Sequence, residues 1–390
     1  MSESAYIFNK LTGKEFFKPK SIKMIGHVFD SLVKEVSSKK VILVGGTNGK
    51  GETCYSLEWF AKNLGVSCAV FTSPHLHTVH ERFRFNGAVI EDSKLLKLLK
   101  KFQEKYPENS CDLSYFELCF WVFCNFVIEK SPELVICEVG LGGRLDITNL
   151  LEPSITAITN ISRDHTEYLG STYKKILFEK LGVTRRGVKL FTGVSTDYLI
   201  DEVKRFSLAK EFPVTYLKPK NDYSSTNKFM AQNIISNLYN NYEERINLQD
   251  LYGKVIDPRT KNYESKFGTS INFRGAHNLD GHRCLIKSLG SYNKYSCIIL
   301  NFSNRPKEEV KSILVSYSSW TGGKVQIYVN TTPFFKSSSK EKLSSIVKEL
   351  ALARVEVLRS TNEIKKAVSI NKSSLWTGSY YSCELINELI

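Results

Sequence analysis

Disulfide and zinc signatures are missing from this chain. Its 390 residues include nine cysteines, from Cys54 to Cys383, yet none form a C-x-x-C pair and none has zinc-finger spacing. Several lie in apolar runs, such as Cys119 and Cys124 in YFELCFWVFCNFVI, where they read as small buried hydrophobes in a reducing compartment. The opening MSESAYIFNKLTGKE lacks the basic-then-apolar order of a secretory leader. The most apolar run, Tyr115–Ile128, is too short to span a bilayer and contains Glu117, so a buried helix of a cytoplasmic protein with no membrane partner is expected. The formal net charge is +14, but no long basic block carries it and no RNA-binding aromatic signature accompanies it. Nucleic acid is therefore not an expected partner; the charge suits small polyanions or a lysine-rich solvated surface. Internal repeats and low-complexity segments are also missing. What remains is ordinary globular composition, 42% hydrophobic and 24% charged, in a chain long enough for two domains.

Short runs rich in Val and Ile alternate with helical periodicity. In the first part these runs are Val41–Gly45, Cys68–Thr72, Leu134–Gly140, Ile155–Ile161 and Val188–Gly193, with helices such as Thr53–Leu64 and Lys94–Lys105 between them. Continuous apolar strands separated by helices predict a mostly parallel sheet covered on both faces, with ligands at the C-terminal strand ends. A helix entered through a Ser-Ser-Thr-Asn cap is expected from about Asp222 to Tyr239. After a polar stretch, the runs Thr269–Phe273, Cys297–Phe302, Val325–Asn330, Ala353–Leu358 and Ser374–Gly378 predict a second α/β unit. The expected architecture is a phosphate-loop-type, mostly parallel N-terminal domain (1–253), a linker (254–267) and a smaller Rossmann-like α/β domain (268–390).

Chemistry concentrates first in VILVGGTNGKGETC. Gly46, Gly49 and Gly51 allow backbone N–H groups to approach phosphate, the following helix offers its N-terminus to an anion, and Lys50 adds a point charge. The loop is not a strict G-x-x-x-x-G-K, since Val44 stands where the first glycine belongs. A plain strand–helix turn stays open on this pattern alone. His75, His77 and His80 form H-x-H-x-x-H, a spacing open to a hydrolase-type zinc site.

GGTNGKGET resembles the G-T-N-G-K-G-[ST] loop of the folylpolyglutamate synthase and dihydrofolate synthase family, relatives of the Mur ligases. TSPHL with ERFRFNG, LSYFE, EVGLGGRLDITN, DHTEYLG, EKLGV, GAHN and TGSYY resemble the family's further motifs in order along nearly the whole chain. The resemblance implies an ATP-dependent ligase, a monomer acting on small molecules, that adds L-glutamate to a folate or dihydropteroate carboxylate through an acyl phosphate. It implies ATP contacts at Thr47, Asn48, Gly49, Lys50, Gly51, Glu52, Thr53, Asn227, Lys254, Arg274 and His277. It implies magnesium held by Ser73, Glu138 and His165, which explains His75 within TSPHL without a metal. It further implies a carbamylated Lys180, catalytic with Glu138 and His165, and an acid substrate near Ser114, Tyr115, Phe116 and Leu145. His277 would sit where the two domains meet.

Departures from the family pattern cluster on the nucleotide. Glu52 replaces a hydroxyl, so it either joins the magnesium shell or turns away while Thr53 serves. Lys254 stands for an arginine and loses its bidentate geometry. Arg274 stands for the aspartate of D-G-A-H-N, where it can pair with a phosphate but cannot accept from ribose hydroxyls. NFSNRPKEE replaces a D-K-D-like segment. These changes admit two alternatives: a nucleotide- or folate-binding relative with impaired catalysis, or a Mur-type ligase for another acid.

Overall fold

The computed structural model describes residues 3–4, 7–8, 22–107, 113–220, 222–239, 260–331 and 337–390. The chain divides into two compact units, Met1–Ile256 and Asp257–Ile390.

The first unit is built on an eight-stranded sheet. Its strands are β1 (Lys40–Gly45), β2 (Cys68–Phe71), β3 (Phe83–Phe85), β4 (Ala88–Val89), β5 (Leu134–Glu138), β6 (Ile155–Ile158), β7 (Lys189–Thr192) and β8 (Val214–Tyr216). They lie in the order β4-β3-β2-β5-β1-β6-β7-β8. All neighbours are parallel except the β2–β3 and β3–β4 pairs, which extend one edge as an antiparallel hairpin. Strand alternation divides the core between the two faces. Val41, Leu43, Ala69, Phe71, Val135 and Cys137 belong to one buried cluster. Ile42, Val44, Cys68, Val70, Leu134 and Ile136 belong to the other. Burial on both faces explains why these runs are apolar throughout.

Helices α1 (Ile22–Val36), α3 (Asp92–Lys105) and α4 (Tyr115–Lys130) cover the first face; α2 (Lys50–Asn63) and α8 (Tyr223–Leu238) cover the second. Three further helices, α5 (Thr166–Leu169), α6 (Tyr173–Leu181) and α7 (Asp197–Lys210), follow β6 and β7. The expected apolar helix is α4, with Trp121, Phe120 and Phe123 essentially buried. Each such side chain contributes about 1.5–3 kcal/mol relative to exposure. No helix among the described residues is long and apolar enough to cross a membrane. The cap of α8 differs from expectation: Asp222, not the Ser-Ser-Thr-Asn run, caps it, accepting from Ser225 N at 2.8 Å. An aspartate one turn earlier offers an acceptor to the orphan N–H groups, so the serines enter the helix.

The second unit carries β9 (Lys261–Glu264), β10 (Ser270–Gly275), β11 (Cys297–Phe302), β12 (Gln326–Thr331), β13 (Val355–Val357) and β14 (Ser373–Gly378). Their order is β13-β12-β11-β14-β10-β9, parallel except for the β9 edge. Helices α9 (Leu279–Leu289), α10 (Lys307–Thr321), α11 (Lys340–Leu350), α12 (Thr361–Ser369) and α13 (Cys383–Asn387) connect or follow them. Part of the expected linker, Lys261–Glu264, is thus a strand of this sheet. Its exposed, polar residues gave no apolar alternation to read, because an edge strand is held by its backbone pairing with Ser270–Phe273.

Candidate nucleotide and metal site

In the first unit, β1 lies between β5 and β6, so three strands end side by side. Val44 is in register with Glu138, and Gly45 with Ile158. This is the switch point at which an open parallel sheet forms a crevice. The Gly45–Gly49 loop leaves β1 there and enters α2.

The loop is pinned by the segment after β6. Thr47 N donates to Asn160 O at 2.9 Å, and Asn48 N to Asn160 Oδ1 at 3.0 Å. Thr159 Oγ1 and Asn160 Nδ2 both donate to Asn48 O, at 2.7 and 2.9 Å. Thr47 Oγ1 donates to Ser162 O. Two glycines have no substitute here. Gly46 has φ +131, and a Cβ on it would lie 1.9 Å from Thr159 Oγ1; Gly49 has φ +88, and a Cβ would meet the Asn227 amide at 2.3–2.7 Å. Sequence reasoning did not single out Thr159 or Asn160. The polar residues that close an otherwise apolar β6 run are the signal that finds them.

Two ammonium groups converge on the loop from its sheet side. Lys180 Nζ donates to Gly46 O at 2.7 Å, and Lys50 Nζ donates to Gly46 O at 3.3 Å and Thr47 O at 3.2 Å. Lys180 is 4% exposed, although it stands in a helix with charged neighbours in sequence. Burial, then the charge of Lys50, brings its pKa down to about 7, against the opposing pull of Asp164 and Asp146. Asp146 in turn holds the loop after β5: its carboxylate accepts from Leu141 N, Thr148 N and Thr148 Oγ1 at 2.9, 3.0 and 2.6 Å.

Glu138 closes β5 and is 3% exposed. Its Oε2 accepts from Ser73 N at 2.9 Å, which brings together two of the three expected magnesium ligands. His165 lies after β6, at the N-cap of α5 with φ 48, and its ring is about half exposed. No group of three or more His, Cys, Asp or Glu side chains positioned to hold a metal occurs among the described residues. His75, His77 and His80, the alternative zinc cluster, do not form such a group. Arg82 Nε donates to His75 Nδ1 at 2.9 Å, and burial followed by the Arg82 charge keeps that ring well below its ordinary pKa. His80 bonds Asp92 and Thr78, and His77 N donates to Glu81.

Thr53 Oγ1 donates to Gly49 O at 2.9 Å and the residue is fully buried, the usual back-bond of a helical threonine. Gly51 is buried in the first turn of α2. Glu52 Oε2 accepts from Asn227 Nδ2 at 2.8 Å. Asn227, on α8, is 2% exposed. Ser114 caps α4 in a reciprocal bond with Glu117. Tyr115 lies beneath Arg82, and Phe116 packs on Gly140, so both half-buried rings flank the loops after β2 and β5. Leu145 is 51% exposed in the loop after β5.

In the second unit, the GAHN and TGSYY segments end adjacent strands, with Gly275 in register with Gly378. The His277 and Tyr380 rings are 6.0 Å apart. Arg274 does not point its guanidinium at a free acceptor site: it donates to Lys261 O, Phe273 O and Asn262 Oδ1, tying β10 to the β9 edge. Lys254 lies outside the described residues.

A glycine-rich loop between the central strands of a parallel sheet, flanked by half-buried Lys50 and buried Lys180, and a second, smaller unit with its own mostly parallel sheet define a two-unit α/β protein. No protein-family model matches the chain. A dihydrofolate synthase/folylpolyglutamate synthase of Haemophilus influenzae is 39% identical over 153 residues, 39% of this chain and 34% of that protein. A folylpolyglutamate synthase of Arabidopsis thaliana is 36% identical over 194 residues, 48% of this chain and 31% of the relative. The chain thus spans about a third of the length of these curated relatives. The fold matches over nearly the whole chain. Mycobacterium tuberculosis folylpolyglutamate synthase complexed with ADP and AMPPCP has a TM-score of 0.79 at 18% identity, covering 94% of this chain and 95% of that one. A bifunctional folylpolyglutamate synthase/dihydrofolate synthase of Yersinia pestis complexed with AMPPNP and Mn ion has a TM-score of 0.78 at 20% identity, covering 100% and 98%. The chain is thus similar in part of its sequence to folylpolyglutamate synthases and dihydrofolate synthases, and it shares the fold of their solved structures.

Proposed function

We propose that this protein is an ATP-dependent ligase that joins L-glutamate to the carboxylate of a folate or of dihydropteroate. The observation that carries the reading is the pair of lysines, Lys50 and buried Lys180, drawn to one carbonyl of a glycine loop at the central strand ends. The positive charge of Lys50 at a loop of this kind serves phosphoryl transfer, whose catalysis is mostly positioning and electrostatics, while the neighbouring Lys180 amine is the group open to modification. The solved neighbours with ADP, AMPPCP, AMPPNP with manganese, and L-glutamate agree with it.

The donor chemistry fits magnesium. Glu138 brings a hard carboxylate, Ser73, whose backbone N–H meets that carboxylate, brings a hydroxyl, His165 adds a third donor, and the small number of protein ligands suits an ion that takes the rest from phosphates and water. When bound, the ion neutralises charge on the triphosphate. Lys180, with its pKa near 7, has free amine at neutral pH and is suited to carbamylation, in which the amine adds carbon dioxide and loses a proton. The γ-phosphoryl group passes to the acid substrate's carboxylate, releasing ADP; the glutamate amine then attacks the acyl carbon, and phosphate leaves. Within the first unit, Thr47–Thr53 and Asn227 form the ATP-contacting set. Tyr115, Phe116, Ser114 and Leu145 form the wall for the acid. The protein acts as a monomer on small molecules in the cytoplasm, in keeping with the eight described cysteines, all free.

The test is phosphate release from ATP with magnesium and bicarbonate, with glutamate present and dihydropteroate or tetrahydrofolate added in turn. Release that requires glutamate and one pteridine supports the reading and names the acceptor. ATP binding without release under either condition would leave the impaired-relative or other-acid reading instead.

A further inference from the structure

We propose that Ser4 and Phe8 are positioning residues for the acid substrate: docked on Asp92, His80 and Tyr115, they set the aromatic wall that receives its ring. The inference rests on the reading of Tyr115 and Phe116 as that wall, and adds two residues that no motif marks.

The first anchor is polar. Ser4 is fully buried, and its hydroxyl donates to Asp92 Oδ1 at 2.6 Å. The same carboxylate oxygen lies 3.0 Å from His80 Nε2. A carboxylate only accepts, so His80 donates from Nε2, while its Nδ1 meets the Thr78 hydroxyl. The third histidine of H-x-H-x-x-H is thus engaged through both ring nitrogens. His80 belongs to the turn Val79–Arg82 and Asp92 opens α3, so Ser4 is tied to both segments.

The second anchor is apolar. Phe8 follows four residues on, the spacing of one helical face, and is fully buried. Its ring lies 5.4 Å from that of Tyr115 and 6.4 Å from that of Phe83. Phe83 continues to Phe71 at 6.1 Å, and Phe71 to Phe116 at 5.4 Å. Phe8 therefore reaches both rings of the wall, one directly and the other through two buried phenylalanines. Tyr115 needs this support. It is half-buried and is the first residue of α4, where the helix itself holds a side chain least. Arg82 lies over its ring, 5.1 Å from the centroid, and donates to His75 Nδ1, so the ring is also joined to the loop after β2.

A flat side chain receives a flat ligand best when it is already fixed, because each side chain immobilised on binding weakens affinity. Ser4 and Phe8 supply that order before the ligand arrives. Phe8 belongs to the core on the first face of the sheet, whereas α2, which follows the glycine loop, packs on the second. Loosening Phe8 should therefore change affinity for the acid and not for the nucleotide.

The test is equilibrium binding to the full chain of dihydropteroate and of tetrahydrofolate, each with AMPPNP and magnesium present, and of AMPPNP with magnesium alone. Phe8→Leu keeps apolar bulk and removes the ring; Ser4→Ala removes the hydroxyl on Asp92. Phe8→Leu is expected to weaken the bound pteridine at least about fivefold and Ser4→Ala at least about threefold, with AMPPNP affinity within about twofold of wild type in both. Smaller losses overturn the proposal, as do losses shared equally by pteridine and AMPPNP, which a merely structural role would give. Should Phe8→Leu fail to fold, Ser4→Ala decides alone. Wild type that binds AMPPNP but neither pteridine would overturn the acid-site reading together with this inference, whereas equal pteridine affinity in wild type and variants removes this inference alone.

Discussion

Replacing Lys180 with methionine should make the protein more stable at neutral pH while abolishing phosphate release. The Lys180 ammonium is buried beside Lys50, and its pKa falls from 10.5 to about 7. That difference corresponds to about 5 kcal/mol of disfavoured charge. Below pH 7 both folded and unfolded chains hold the proton, and the wild-type fold carries the full cost. Between about pH 7 and 10.5 the unfolded chain binds the proton and the folded chain does not, so wild-type stability rises with pH. Methionine removes the cost but also the 2.7 Å hydrogen bond to Gly46 O, worth about 1 kcal/mol. The variant should therefore exceed wild type by about 4 kcal/mol at pH 6.5, and the advantage should vanish by about pH 10. Urea denaturation in bicarbonate-free buffer from pH 6 to 10, at constant ionic strength, measures it. A variant no more stable than wild type at pH 6.5, or an advantage that does not decline with pH, would refute the reasoning. Added bicarbonate should stabilise wild type and leave the methionine variant unchanged if Lys180 carries a carbamate.

Further outcomes follow from single contacts. Asp146→Ala removes the acceptor for two backbone N–H groups and the Thr148 hydroxyl, and should cost about 3–5 kcal/mol in chemical denaturation. Gly49→Ala places a methyl group against Asn227 at a left-handed backbone position; a loss of about 2–4 kcal/mol and of ATP affinity is expected in thermal unfolding and titration. Glu138→Gln keeps shape but removes charge, and should lower phosphate release at least about 100-fold while the chain still folds, as far-ultraviolet dichroism would report. Arg274→Asp should lose the bonds to Lys261 O and Asn262 and destabilise the second unit by about 1–2 kcal/mol, without improving turnover. A gain in turnover would return Arg274 to the nucleotide.

The apolar runs determined much of this protein before any coordinates. Residues 41–44, 134–137 and 155–158 could only be strands buried on both faces, and a parallel sheet then places its ligand loops at the C-terminal ends. Glycines and Lys50 marked the loop itself for the same local reason. Asn86–Gly87, both at positive φ between β3 and β4, carried a hairpin signal of the same local kind, in a stretch read only as a motif. Edge strand β9 gave no such signal, since its pairing is made by backbone groups whatever the side chains. What pairs across long separations was decided by the tertiary structure alone. Nothing near Glu52 in sequence points to Asn227, 175 residues on, and nothing around Lys180 indicates that its amine is buried against Gly46, 134 residues back. Periodicity reports which face of an element is buried; the partner found there depends on where the sheet brings distant segments together, and that fixes both the pKa of Lys180 and the orientation of Asn227.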